Sequence, residues 1–323
     1  MKVSVLITTY NQEAFITQAI ESVLMQEVNF DYEIVIGEDY STDHTREILI
    51  ALQQKHPNKI RLLLHEKKLE GLPGKLNFVA TLTACEGEYV ALLDGDDYWI
   101  NVHKLQKQVD LLESHPECAI CFHNVGPLDD DGRRGPGTLC PPDQKDISTL
   151  EGLLSRNIIP ACSVLFRRGL FDRLPDWYFT TAMGDWPLHI LNAQHGSIAY
   201  INKVMATYRV HAGGFSPSKR PSRQLLGMIE MLDHVDRHLD FSFQDLIRAT
   251  KARLYYQLAV IYRDRGHLLH ARRVLKQSIL CWGFKPRRAL GLLFPRESSV
   301  LGRFRTLRAF LRRVPSQSKL VRS

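Results

Sequence analysis

Apolar residues gather in short continuous runs along the first third of the chain, and each run is followed by a stretch with helical spacing. Residues 3–8, 32–37, 60–65 and 89–93 are mostly aliphatic, aromatic or β-branched, the pattern of strands covered on both faces. Between them, residues 12–26 set Phe15, Ile16, Ala19, Ile20, Val23 and Leu24 along one helical face, and residues 45–55, 76–85 and 104–114 read as further helices. Strands alternating with helices predict an α/β fold, a mostly parallel sheet with helices on both faces.

Downstream the rhythm changes. Residues 118–123 read as a strand, and residues 126–142 are rich in Gly, Pro and Asp and read as a loop or hairpin region. Residues 148–155 and 184–194 have helical spacing, and residues 161–166, 197–202 and 204–209 read as strands. The run Ala212-Gly-Gly-Phe-Ser-Pro217 interrupts regular structure. From there on the pattern is helical, at residues 224–239, 244–265, 267–281 and 303–312. A boundary near residue 220 is expected, with a mixed domain over 1–220 and a helical region over 221–323.

Charge supports the same division. Residues 221–323 carry 21 Lys and Arg against 7 Asp and Glu, whereas residues 1–220 carry 21 against 28. An acidic front and a basic back imply two units with different tasks. The 323 residues are 44% hydrophobic and 24% charged, enough apolar material for a sizeable core. No run reaches the ~18 apolar residues of a membrane span. The first residues enter a strand-like segment that is too short and too β-branched for a secretory leader, so a cytoplasmic location is expected. Cys118 and Cys121, with His115 and His123 nearby, suggest a metal site. They lack a second pair at zinc-finger spacing, and three residues apart on a strand they should point to opposite faces, so buried structural thiols are expected.

Ligands of open α/β sheets sit beyond the carboxyl ends of the strands. Here those ends carry Thr8, Tyr10 and Asn11, then Glu38-Asp39-Tyr-Ser-Thr-Asp43, then Asp94-Gly-Asp-Asp97. Neither the G-x-G-x-x-G dinucleotide fingerprint nor a G-x-x-x-x-G-K-[ST] loop is present. On its own the Asp94–Asp97 cluster reads in two ways. It is either a surface turn, since Asp-Gly is a common turn pair, or a site for a divalent cation shared with substrate phosphates.

The ordered set Ile7-Thr-Thr-Tyr-Asn11, Gly37-Glu-Asp-Tyr-Ser-Thr-Asp-His-Thr45 and Leu93-Asp-Gly-Asp-Asp97 resembles the family 2 glycosyltransferases of the GT-A fold, over about residues 1–215. The resemblance implies a nucleotide-sugar donor, a UDP-sugar in the first instance, and a Mn²⁺ or Mg²⁺ cofactor. It implies that Thr8 and Tyr10 line the nucleoside and that Asp39 accepts a hydrogen bond from the base, although the family often has Asp-Asp where this chain has Glu38-Asp39. Asn77 then stands near the donor, Asp94 faces the ribose or sugar, and Asp96 is the metal ligand of a D-x-D motif. Glycosyl transfer needs a base for the acceptor hydroxyl. Asp185 precedes a helical run with Pro187 early in it, which also suits a plain N-cap; the resemblance assigns it as the catalytic base. Trp186 beside it is either a sugar platform or a core residue. His211 matches the family's metal or diphosphate histidine, Arg209 is a candidate phosphate contact, and Ser216 a candidate for closing over the site.

The Q-x-x-R-W signature of processive synthases is missing, which implies transfer of a single sugar; the resemblance implies inversion, and the expected acceptor is a glycan, lipid-linked or protein hydroxyl in surface glycan or glycoconjugate synthesis. The segment from Tyr255 to Leu275 resembles one tetratricopeptide-like helix pair, too little for an independent array. Residues 303–312 form a basic amphipathic pattern that suits either an anionic membrane surface, which would make the protein peripheral at the inner face, or a solvated tail. Nucleic acid is not expected, because no recognition motif accompanies the charge. Two other readings compete. A nucleotidyltransferase should carry a Gly-rich basic loop after the first strand, and a non-catalytic scaffold should have lost the rim acids.

Overall fold

The structure, a computed structural model, describes residues 1–128, 135, 137–211 and 221–282. Ser216, the interruption at 212–217 and the basic segment 303–312 lie outside the described residues. In chain order the elements are β1 (Val3–Thr9), α1 (Ile16–Leu24), β2 (Tyr32–Glu38), α2 (Thr45–Lys55), β3 (Ile60–Leu64), α3 (Lys75–Ala84), β4 (Tyr89–Asp94), β5 (Tyr98–Trp99) and α4 (Lys104–Ser114). They continue with β6 (Cys118–Leu128), β7 (Ile147–Ser148), α5 (Leu150–Ser155), β8 (Leu165–Arg167), α6 (Asp185–Ala193), β9 (Ser197–Arg209), α7 (Pro221–His238), α8 (Gln244–Asp264) and α9 (Leu268–Trp282).

One sheet runs in the order β3-β2-β1-β4-β8-β6-β9-β5, with β7 pairing on β9. The first four strands are parallel, as their alternation with helices predicts. Beyond β4 the sheet is mixed: β8 pairs antiparallel with both β4 and β6, and β9 lies parallel to β6. Two reversals restore the direction, so β9 runs the same way as β4 and both end at one rim. The short β5 and β7, and 3₁₀ turns at Ala161–Ser163 and Asp176–Thr180, carry no periodic signal. Residues 161–166 therefore divide into a 3₁₀ turn and a strand. The two strands expected over 197–209 are one, with pairing that steps from Ile201 to Val204 opposite consecutive residues of β6. Strand β6 runs on to Leu128, into the region read as loop.

The core follows from the patterns. Ile16, Ala19, Ile20 and Val23 of α1, Leu49 of α2 and Leu105, Val109 and Leu112 of α4 pack on Val3, Val5, Ile7, Ile34, Ile36, Ala91 and Leu93. Each such aliphatic side chain, fully buried, contributes roughly 1.5–3 kcal/mol. Cys118 and Cys121 both join this cluster. The expectation of opposite faces fails because the register of β6 shifts between Cys118 and Ile120, and a bulge resets the alternation. Both are buried free thiols.

The described residues fall into two units, 1–153 with 157–211 and 154–156 with 221–282. In the second, Ala259 and Leu275 pack together with Tyr256, Val260 and Val274, and Ser278 Oγ donates to the Ala252 carbonyl at 2.7 Å. Gly266, at φ +77°, lies between α8 and α9, the left-handed position that commonly ends a helix. Helices α8 and α9 pack as a hairpin over the segment that resembles a helix pair. No described helix is long and apolar enough to cross a membrane.

Candidate active site

Strand register sets the floor of the site. Thr8 lies beside Gly37 on one side and Asp94 on the other, so all three face the same side of the sheet. Glycine is required at 37 because a Cβ there would overlap Thr81 Oγ1 and the Asn77 amide oxygen. Asn77 is buried; it donates to the Gly37 carbonyl at 2.9 Å and meets His65 Nε2 at 3.0 Å. Both ends of its amide thus tie the carboxyl ends of β2 and β3 together.

The acidic turn follows directly from β4. Gly95 N–H donates to the Thr8 carbonyl at 3.2 Å, and Asp97 N–H to the Asp94 carbonyl at 3.0 Å. Strand β5 then pairs Tyr98 with Thr207 of β9, which brings the turn against Arg209. The Arg209 backbone N–H donates to Asp97 Oδ1 at 2.8 Å, its Nε to the Asp96 carbonyl at 2.8 Å, and its terminal nitrogen to Gln18 at 2.7 Å. The guanidinium, 4.6 Å from the Phe15 ring centroid, is spent inside the protein and holds the turn. Two residues further on, His211 Nε2 lies 2.9 Å from Asp96 Oδ2. Because β9 runs with β4, both side chains reach the same rim.

Asp185 opens α6 at that site, and Asn157 Nδ2 donates to its Oδ2 at 3.2 Å. Burial, then the carboxylates of Asp96 and Asp185, push Asp94 up to about 7. Acids from β4, the following turn and α6 therefore lie close together at the strand ends. Asp97 is raised well above the usual carboxylate range by burial and by Asp96 and Asp94, with the Arg209 N–H opposing. One turn beyond Asp185, His189 is buried with neither ring nitrogen hydrogen-bonded among the described residues, and burial pushes it down to about 4. Trp186 is buried and its Nε1 donates to the Leu153 carbonyl at 3.0 Å. Of its two readings the core role holds.

At the other end of the crevice Tyr10 is partly exposed, with Lys68 Nζ 3.7 Å from its ring centroid. Asp39 is buried; its N–H donates to the Thr9 carbonyl at 3.1 Å and its Oδ1 accepts the Leu69 N–H at 3.2 Å. The segment before α3 thus touches Tyr10 and Asp39, two of the three residues assigned to the nucleoside. Asn11, at φ 53°, adopts a left-handed conformation that Asn tolerates. Its Oδ1 accepts the Thr42 N–H at 2.8 Å, which fixes the β1 loop to the β2 loop.

Among the described residues no three His, Cys, Asp or Glu side chains converge as a ready-made cation cage. Asp96 Oδ2 and His211 Nε2 instead face each other at 2.9 Å, with Asp94 and Asp97 nearby. That donor set fits a hard divalent ion that completes its shell with substrate phosphates. Sequence reasoning missed Lys75, Asn157 and the use of Arg209. Their roles depend on contacts across the fold, with a cation at the N-terminus of α3 as the one sequence signal, since a helix dipole disfavours it there.

A mixed sheet with acids at the carboxyl rim is the arrangement of a GT-A glycosyltransferase. The sequence model of glycosyl transferase family 2 matches residues 4–174, more than half of the chain, which therefore belongs to that family. Over 224 residues it is 37% identical to the uncharacterized protein Rv1520 of Mycobacterium tuberculosis, a match covering 68% of this chain and 62% of that protein. The chain thus spans less than two thirds of that relative's length. The fold is similar to TarS 1–349 of S. aureus in complex with UDP-GlcNAc, with a TM-score of 0.63 at 19% identity over 97% of this chain and 92% of that one. It is also similar to the mannosyltransferase PcManGT of Pyrobaculum calidifontis in complex with GDP-Man and Mn²⁺, with a TM-score of 0.59 at 17% identity over 96% and 80% of the two chains.

Proposed function

We propose that this chain is an inverting glycosyltransferase that moves a single sugar from a nucleotide-sugar donor, a UDP-sugar, to an acceptor hydroxyl in surface glycan or glycoconjugate synthesis. The observation that carries this reading is the approach of Asp94 and Asp96, at the end of β4, to Asp185 of α6, two distant segments that meet at the strand ends. Family membership supports it, as do the nucleotide-sugar complexes of the two similar structures. In this reading Asp185 takes the proton from the acceptor hydroxyl. The acceptor oxygen then forms a bond to the anomeric carbon while the bond to the diphosphate oxygen breaks, and that electron pair leaves with the diphosphate. A single displacement inverts the anomeric centre. Asp96 and His211 would hold a Mn²⁺ or Mg²⁺ ion, which when bound supplies Lewis-acid stabilisation of the leaving diphosphate. Thr8, Tyr10 and Asp39 bind the nucleoside, Asp94 orients the ribose or sugar, and Asn77 shapes the pocket by bracing β2. The acceptor is a glycan, lipid-linked or protein hydroxyl, and a lipid-linked acceptor gives the basic C-terminal segment a membrane surface to meet.

The test is a thermal-shift and hydrolysis screen of nucleotide sugars with and without Mn²⁺. Stabilisation by a UDP-sugar only with metal is expected, and indifference to every nucleotide would sink the reading. Asp96→Ala should remove metal-dependent UDP binding, whereas Asp185→Asn should abolish transfer and leave that binding intact.

A further inference from the structure

Beside Asp185 stands a buried cation that the mechanism above does not use. Lys75, the first residue of α3, is 4% exposed. Its Nζ donates to the Met183 carbonyl at 2.5 Å and sits 4.0 Å from the Tyr178 ring centroid. The Tyr178 hydroxyl in turn donates to the Gly184 carbonyl at 2.8 Å, and Thr181 Oγ1 reaches the Met183 carbonyl at 3.3 Å. Two consecutive carbonyls ahead of Asp185 are therefore gripped by one lysine–tyrosine pair. The grip comes from the first turn of α3, which also anchors β2 through Asn77.

We propose that Lys75 is a positioning residue for the base of glycosyl transfer: through the Met183 carbonyl and the Tyr178 ring it fixes the turn that presents Asp185, and it sets a positive charge beside that carboxylate. The proposal rests on Asp185 being the base. An ammonium is suited to both tasks, because it donates to a carbonyl, lies on an aromatic face and carries a charge opposite to the carboxylate's. The titratable groups that face it are Tyr178 from the 3₁₀ turn and Asp185 from α6; Asp94 of β4 and His189 of α6 interact with Asp185 in turn. Burial pushes the Lys75 ammonium down to about 8, and Asp185 opposes that fall. The grip should therefore weaken as pH rises through that value.

Two measurements test this on the full chain. The first needs no turnover: the Lys75 amine is titrated by NMR with carbon-labelled lysine, its signal identified by its loss in Lys75→Arg. A midpoint near 8 that moves down in Asp185→Asn supports the coupling; an unmoved midpoint overturns it. The second is UDP-sugar hydrolysis or transfer. Lys75→Met should lower kcat at least tenfold, leave the donor KM and Mn²⁺-dependent UDP binding unchanged, and be rescued by Lys75→Arg with the alkaline limb moved to higher pH, since guanidinium stays protonated. Wild-type kcat in Lys75→Met would refute the proposal. If Lys75→Met does not fold, Lys75→Arg decides, and an unmoved alkaline limb counts against it. If the wild type turns over no nucleotide sugar, the functional reading has failed, and the amine titration still decides the coupling.

Discussion

Lys104 offers the sharpest test of the energetics. It is the first residue of α4, fully buried, and its Nζ has no hydrogen-bond partner among the described residues. Its ammonium lies 3.8 Å from the Trp99 ring centroid, and Trp99 is itself fixed by a 2.9 Å hydrogen bond to the Cys162 carbonyl. Burial pushes Lys104 from 10.5 down to about 7, with the Cys162 and Cys121 thiols opposing. At roughly 1.4 kcal/mol per pH unit, that displacement corresponds to a burial cost of about 5 kcal/mol when the folded state carries the charge. Lys104→Met keeps the apolar stem and removes the charge, and forfeits the aromatic contact, worth about 2 kcal/mol when desolvated. A net gain of about 3 kcal/mol is expected below neutral pH. The unfolded chain holds its proton up to 10.5, whereas the folded chain releases it near 7. Between those values the unfolded state binds more protons, so wild-type stability rises with pH and the advantage of the variant shrinks, crossing zero near about pH 9. Urea melts of both proteins at several pH values measure this. A variant no more stable than wild type near pH 6.5, or a difference that does not shrink with pH, would refute the reasoning.

Two further predictions follow from packing. Gly37→Ala drives a methyl into Thr81 and Asn77, whose side chains are bonded to the Asn77 and Gly37 carbonyls, so it should cost about 2–3 kcal/mol in a urea melt. Trp186→Phe removes the donor to the Leu153 carbonyl and should cost about 1–2 kcal/mol while leaving the KM for a UDP-sugar unchanged; a raised KM would restore the sugar-platform role.

The parts legible in sequence are those with a local cause. The alternation of apolar runs and helical spacing gives β1 to β4 and α1 to α4, and it places Thr8, Asp39 and Asp94 at one rim because parallel strands end together. Asp185 is legible as a helix start. The antiparallel β8 is not, because three residues carry no period and its pairing with β4 and β6 is set by distant chain. Nor is the commitment of Arg209, which reads as a free cation on a strand and proves to be bonded to Asp96, Asp97 and Gln18. Lys75 and Lys104 share one faint signal: each opens a helix, where the dipole disfavours a cation, and each is buried.

These two lysines separate the architecture of the crevice from its chemistry. Lys104 lies among apolar groups and thiols, where its charge meets no carboxylate among the described residues, and the expected result of removing it is a more stable protein. Lys75 lies beside Asp185, near Asp94, Asp96 and Asp97, which repel one another, and its charge is opposite to theirs. Like-charged acids held this close favour any cation that enters, and the fold meets that demand at two places by different means. Near α6 it supplies a built-in ammonium. In the proposed reading, Asp96 and His211 would hold a cation that arrives together with a diphosphate. A site built this way should bind metal weakly alone and tightly with nucleotide. That coupling is measurable as a lower Mn²⁺ dissociation constant in the presence of UDP than in its absence, and equal Mn²⁺ affinity in both conditions would show that the two ligands are complete without the substrate.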